Sequence, residues 1–465
     1  MISYGCLRNM ISSWNQFWWW SKDFVQMAVE SCKTFILDGA IGVAFFVYYY
    51  FYLIVLFAMV IIISYFRFKY PFWSIQPIYH TYDWFRYLAV NFWMTSPQKI
   101  RQKFVRDSGL GSKYLNGANI LTVPFGEVSG SDEILDSVVD LLQCHYNRQP
   151  DILYTLSKTD LNTRVVACSS YISIYRDSLD GSILGCMTSK SVQMYYLGSK
   201  IDEPVFFWDH ICVHRDQFGR DQKNRFLKSN VTRNLIQTHQ YNQDLGQRTA
   251  TVSIFHKEGS LCEGVVPLVE YVVSVFQLYA IRSPKMPPHI VVTKLNPREM
   301  VELMRSGSGP GSGYGSIQIF PEIANLAECV KQSLLYIYAI KRRDEILGIY
   351  VLRDTKTIYD IASYDEGEPG GRGTIEFAWS LNVECTNDVF FAGFLETLYQ
   401  ILGSGGQKGT SFQYARFTDL GHNAIILEKW RQKYTPLAVT TAAYYIYNMV
   451  VPKMPLDRNE CFLIM

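Results

Sequence analysis

The residues with the most chemistry to offer are Phe207-Trp-Asp-His-Ile-Cys-Val-His-Arg215. Phe206, Phe207, Trp208, Ile211 and Val213 are strand formers, and polar Asp209 and His210 interrupt them at the middle. A basic segment follows, with Gly219, Arg220, Lys223, Arg225 and Lys228. A strand with polar groups at its middle and a positive loop at its end is what an acyl-CoA-binding acyltransferase needs. A core strand with a hydrogen-bonded histidine and a solvated loop has the same composition, so context decides between them. Asp209 beside His210 invites an acid–base dyad, but adjacent strand residues point to opposite faces, so a direct pair is not expected.

The elements that position this stretch come from a chain of 465 residues, long enough for two domains or a duplicated one. Charge is balanced, 44 Lys+Arg against 42 Asp+Glu, so bulk electrostatics point to no nucleic-acid partner. Ten cysteines include no Cys-x-x-Cys pair, so neither a metal site nor a redox motif is expected. Singletons such as Cys168, Cys186 and Cys329 read as small core residues in a reducing compartment. Residues 305–316 are Gly/Ser-rich without a preceding strand or a following lysine, a linker or loop and not a phosphate loop. Gly405-Gly-Gln-Lys-Gly-Thr410 has Lys and Gly in the wrong order for one.

Residues 12–37 place apolar side chains at helical spacing, and three consecutive Trp (18–20) suit a helix lying at a bilayer surface. Gly39 to Phe66 is 28 residues without a charge. At about 1.5 Å per residue this crosses a hydrocarbon core of roughly 30 Å, and a single-span signal anchor is expected. Arg67 to Arg106 holds seven Lys/Arg and one acid, against three of each sign in the first 38 residues, which places the C-terminal part in the cytosol. The expected organisation is an amphipathic segment (1–37), a membrane helix (38–66) and two halves (67–285 and 286–465).

Further along, Asp132–His145 reads as an amphipathic helix capped by Ser131 or Asp132. Val165–Tyr175 and Ile183–Tyr196 read as strands around the turn Asp180-Gly181, and a helix follows from about Val231 to Tyr241. Leu326–Ile340 reads as a helix, then Asp344–Arg353 and Thr357–Asp360 as strands parted by a turn. Asp180-Gly-Ser-Ile-Leu-Gly185 and Asp344-Glu-Ile-Leu-Gly348 share an acid, a turn and an apolar-Leu-Gly start, the mark of a duplicated unit.

Lys69-Tyr-Pro-Phe-Trp-Ser-Ile-Gln-Pro77 resembles the Tyr-x-Phe-Trp-x-x-Gln-Pro segment of the N-myristoyltransferases. Phe207 to Arg215 is similar to that family's Glu-Ile-Asn-Phe-Leu-Cys-Val-His-Lys, with Cys212, Val213 and His214 identical. Phe377-Ala-Trp-Ser-Leu-Asn-Val383, Asp419-Leu-x-x-Asn423 with Leu427-Glu-Lys429, and Tyr444-Tyr-Ile-Tyr-Asn448 with Pro452 continue the resemblance in order. It spans about residues 69–465. An acidic run after the first helix is replaced by Asn147-Arg-Gln-Pro150, and a Gly-rich turn by Tyr434-Thr-Pro-Leu-Ala438. With its added anchor the chain also resembles proteins encoded by large DNA viruses.

The resemblance implies an α+β, acetyltransferase-like duplicated fold with a mixed, saddle-shaped sheet behind one transmembrane helix. It implies transfer of a long-chain acyl group, myristoyl, from acyl-CoA to the N-terminal glycine amine of a protein. The base would be the carboxylate on Met465, and the oxyanion donors the backbone N–H groups of His210 and Ile211. Acyl-CoA, the co-substrate, would lie against Tyr70, Phe72, Trp73, Cys212, Val213, Gly219, Arg220, Lys223 and Lys228, with no metal and no permanently bound cofactor. Two alternatives stay open: the same fold acting on another amine, and a catalytically inactive membrane or virion protein that kept the scaffold.

Overall fold

The computed structural model describes residues 22, 25–27, 29–30, 40–83, 96–101, 112–146, 152–165, 168–215, 222–306, 316–359, 372–403 and 411–465. The chain divides into two compact units, Met1–Pro71 and Phe72–Met465. In the first, helix α1 (Ala40–Lys69) has no charged residue before Arg67. Its 24-residue stretch Phe46–Lys69 contains an 18-residue window of mean hydropathy 2.5 and is long and apolar enough to cross a membrane. Of residues 12–37 the described ones are helical, and the three tryptophans lie outside the described residues.

The second unit opens with β1 (Gln98–Lys99), β2 (Ile120–Pro124), α2 (Phe125–Val128), α3 (Asp132–His145), β3 (Ile152–Tyr154) and α4 (Lys158–Val165). Then come β4 (Ser170–Arg176), β5 (Ile183–Tyr196), β6 (Ser199–Lys200), β7 (Val205–Val213), α5 (Gln222–Gln247), β8 (Val252–Glu258) and β9 (Val269–Gln277). The second half holds β10 (Ile290–Lys294), α6 (Pro297–Ser306), β11 (Ile317–Pro321), α7 (Ile323–Lys331), β12 (Leu335–Arg342), β13 (Glu345–Tyr359) and β14 (Arg372–Asn382). It ends with α8 (Asn387–Gly403), β15 (Ser411–Thr418), α9 (Asn423–Arg431), β16 (Ala438–Tyr447), β17 (Met449–Val450) and β18 (Cys461–Leu463).

One mixed sheet runs β10-β12-β13-β14-β15-β9-β16-β8-β7-β5-β11-β18, with β4 and β2 continuing from β5. Two passages repeat. Strands β5 and β7 are antiparallel, α5 crosses over, and β8 returns parallel to β7. Likewise β13 and β14 are antiparallel, α8 crosses over, and β15 returns parallel to β14. A parallel partner requires such a crossover, and the helix covers the sheet face it passes.

Gly185 and Gly348, the glycines of the faint sequence repeat, hold matching places in this geometry. A Cβ on Gly185 would meet Leu235 of α5 at 3.1 Å and the Cys212 carbonyl of β7 at 3.3 Å. A Cβ on Gly348 would meet Phe390 of α8 at 3.0 Å and the Leu381 carbonyl of β14 at 3.1 Å. Each glycine lets its crossover helix settle onto the sheet. The Gly348→Ala variant is expected to lose about 1–3 kcal/mol of stability by overpacking, read as a lower urea midpoint at unchanged slope.

Several boundaries differ from expectation. Residues 158–165 are helical and the next strand starts only at Ser170, where alternation with β2 and β5 begins. The helix expected over Leu326–Ile340 ends at Lys331, because Leu335–Arg342 pairs with β10 and β13; tertiary pairing overrides local preference there. The strands expected at 344–353 and 357–360 are one long β13, which pairs through Thr357–Tyr359 with β3. Helix α5 starts at Gln222 and not near Val231, so Lys223 and Lys228 belong to its first turns and not to a loop. The amphipathic helix at 132–145 lies where the periodicity puts it, and Tyr444–Tyr447, part of the family resemblance, ends a strand.

Candidate active site

Strand β7 changes partners at its middle. Val205–Trp208 pairs in parallel with Val252–Phe255 of β8, and the two strands part at Asp209. On the other side Thr188 faces Asp209 and Cys186 faces Cys212, so His210 and Ile211 together oppose Met187. This is a β-bulge, and His210 takes a φ of +49° to make it. The second half repeats the device: β14 and β15 part after Phe377, and Ala378 is the extra residue against β13. Parting strands take backbone groups out of the ladder at the centre of the sheet, where they become available to a ligand or to a side chain.

In this chain a side chain takes one of them. The His210 N–H donates to Asp209 Oδ1 at 2.8 Å. The bulge also brings His210 Nδ1 within 3.6 Å of Asp209 Oδ2, so the expectation that neighbouring side chains diverge fails at this position. The imidazole is buried, with Nδ1 at 3.0 Å from Thr188 Oγ1 and Nε2 at 3.1 Å from Tyr154 Oη. Burial pushes its pKa down to about 4, against the pull of Asp209, so the ring is neutral at pH 7. Burial also works against the Asp209 carboxylate, but His210, Arg164, Lys190 and the His210 N–H together hold it at about 2. The arrangement is a carboxylate beside a neutral imidazole, with cations from α4 and β5 in electrostatic reach.

Tyr154 connects this centre to the chain end. It sits on β3 opposite Thr357 of β13, and β13 also carries Arg353. Burial raises the Tyr154 hydroxyl far above its usual range, with Arg164 and Arg353 among the charges that act on it. Arg353 Nη1 donates to the Met465 main-chain oxygen at 2.7 Å. The tail reaches that point as β18, parallel to β11, and Ile464 N–H donates to Ile319 O at 2.9 Å. Cys461 to Ile464 are buried and Met465 is half-buried against the same core, with Phe462 edge-on to Trp379.

Arg353 is one member of a ladder of charges built around the buried Glu376. Its Nε pairs with Glu376 on β14, whose other oxygen lies 3.1 Å from Arg416 Nε, and Arg416 Nη2 donates to Glu258 at 2.6 Å. Burial opposes the Glu376 charge, but Arg353 and Arg416 hold its carboxyl at about 2. Four charges drawn from β8, β13, β14 and β15 thus fix the guanidinium that meets Met465. No local pattern marks Arg353, Glu376, Arg416, Glu258, Arg164, Lys190 or Tyr154 as a group, because their partners are distant in sequence.

The expected acyl-CoA residues fare differently from one another. Phe72 and Trp73 begin the second unit: Phe72 is buried edge-on to Tyr114, and Trp73 stacks on Phe255 at 5.4 Å. Gln76 seals that segment to the sheet, donating to Gln237 Oε1 at 2.6 Å and accepting from Tyr447 Oη at 2.9 Å. Tyr70 belongs to the first unit, its N–H bonded to Phe66 O. Cys212 and Val213 turn their side chains into the core, Cys212 Sγ toward Leu141 O and Val213 among Ile120, Val231 and Leu235, so only their backbone is available. Gly219 and Arg220 lie outside the described residues, and Lys223 and Lys228 are placed by backbone alone. Among the described residues no group of His, Cys, Asp and Glu could hold a metal ion.

A crystal structure of Saccharomyces cerevisiae N-myristoyltransferase with bound myristoyl-CoA matches with a TM-score of 0.62 at 10% identity, covering 85% of this chain and 99% of that one. A second structure of the yeast enzyme with myristoyl-CoA matches at 0.58 and 10% identity, covering 85% and 93%. A third, with myristoyl-CoA and inhibitors, matches at 0.58 and 10% identity, covering 88% and 99%. The chain has the N-myristoyltransferase fold. No family model and no curated protein matches the sequence. At 10% identity the likeness is one of fold. The side chains at the parted strands belong to this chain.

Proposed function

We propose that the chain is an N-acyltransferase that moves a long-chain acyl group, myristoyl, from acyl-CoA to the N-terminal glycine amine of a protein. One observation carries the reading: within an N-myristoyltransferase fold, the bulge at His210–Ile211 and the oxygen of Met465 are joined through Tyr154, β13 and Arg353. A thioester is already activated, so an amine needs only deprotonation, orientation and help for the developing oxyanion. The amine lone pair forms the N–C bond, and the carbonyl oxygen gains charge beside the N–H groups of His210 and Ile211. The C–S bond breaks and CoA leaves as its thiolate. The amine proton passes to the Met465 carboxylate, a modest base matched to an α-amino group titrating near 8. Acyl-CoA lies on the side of Tyr70, Phe72, Trp73, the backbone of Cys212 and Val213, and Gly219, Arg220, Lys223 and Lys228. Helix α1 anchors the enzyme in one pass, with the catalytic unit cytosolic.

The test is the full-length protein in detergent with myristoyl-CoA and a glycine-headed peptide. Saturable binding followed by a peptide mass increase of one myristoyl group is the expected result; absence of CoA binding overturns the reading. A second reading, an inactive membrane or virion protein on the same scaffold, is favoured by the Asp209 carboxylate seated on the His210 N–H. It predicts acyl-CoA binding without transfer, or neither.

A further inference from the structure

The position that would receive the oxyanion already holds an anion. Asp209 Oδ1 accepts the His210 N–H at 2.8 Å, and its other oxygen is 3.6 Å from the His210 ring. The side chain of Asp209 is about one-quarter exposed, so it sits at the edge of the core. The groups behind it are fixed: Thr188 Oγ1 bonds both the Asp209 carbonyl at 3.2 Å and His210 Nδ1 at 3.0 Å. The bulge therefore stays in place whether or not the carboxylate does.

We propose that Asp209 is a latch on the His210 N–H: its carboxylate occupies the donor at rest and must turn away before a thioester oxygen takes its place. The inference rests on the acyltransferase reading of the bulge and deepens it. A carboxylate left near the donor repels the oxyanion, so the latch lowers the rate of the chemical step while leaving the acyl-CoA side untouched. Asp209 is a positioning residue, acting through the backbone of its neighbour. The N-myristoyltransferase segment that Phe207–Arg215 resembles has Asn at this place.

The experiment compares wild type, Asp209→Ala and Asp209→Asn as full-length proteins, with kcat and KM for myristoyl-CoA and hydrogen exchange over residues 205–213. The latch predicts that kcat rises roughly tenfold or more in Asp209→Ala and less in Asp209→Asn, with KM changed less than about twofold. It also predicts one additional fast-exchanging amide in Asp209→Ala alone, the rest of β7 staying protected. A lower kcat in both folded variants, or an exchange pattern identical to wild type, overturns the latch. If Asp209→Ala does not fold, the isosteric Asp209→Asn carries the kinetic test. Loss of the acyltransferase reading is seen separately: wild type then fails to bind myristoyl-CoA, while the exchange measurement still judges the contact.

Discussion

Deleting Met465 is expected to lower acyl transfer by roughly a hundredfold to a thousandfold while leaving myristoyl-CoA binding within about threefold of wild type. The deletion removes the Met465 oxygen to which Arg353 donates and leaves Ile464 buried and bonded to Ile319 O. On the proposed mechanism the base is lost with it, whereas the segment from Phe72 to Gln76 is unaltered. Only one residue of a buried strand end is removed, so stability changes little. Single-turnover kinetics with preloaded acyl-CoA separates the two readouts. Equal loss of binding and rate would show that the tail serves only to complete the core.

The second large effect is on stability. Glu376→Gln should cost about 3 kcal/mol, because it takes the buried shared carboxylate from the half-buried guanidinium groups of Arg353 and Arg416. The same carboxylate makes folding depend on pH. Its pKa lies near 4.5 when the chain is unfolded and is held at about 2 in the fold. Above pH 4.5 the folded and unfolded forms are both ionised and the stabilisation, about 3 kcal/mol, is fully present. As pH falls from 4.5 through about 2 the unfolded form takes up the proton first, and the stabilisation is lost. Wild type should therefore lose more stability than Glu376→Gln between pH 5 and 3, measured by urea unfolding. Parallel pH profiles would refute the ladder as a stability element.

The acetyltransferase-like fold was legible from short segments at moderate specificity: Phe72-Trp73 with Gln76, Cys212 to His214, and the Asp419–Lys429 helix. These survive because each does a local job that few residues do. Gly185 and Gly348 are the clearest case, where a faint repeat marks two places at which an added Cβ would meet a helix side chain at about 3 Å. The site was less legible. Alternation in Phe206–Val213 names a strand but not the bulge, since the extra residue is defined only by what faces it on β5. The opposite-face rule for Asp209 and His210 assumes a regular pleat, and a φ of +49° removes it.

By itself, the amino-acid sequence determined the span-length apolar helix, the amphipathic helix at 132–145 and the strand around Phe206–Val213. Those properties follow from periodicity and composition over a few residues, and they carry over into any tertiary setting. Only the tertiary structure decided that Leu335–Arg342 is a strand and that α5 begins at Gln222. It alone brought Tyr154 to His210, Arg353 to Met465 and Asp209 onto a backbone donor. The reason is distance along the chain: Arg353 and Met465 are separated by 112 residues, and Tyr154 and His210 by 56. Contacts of that span are set by which strands lie side by side, and no local preference encodes them.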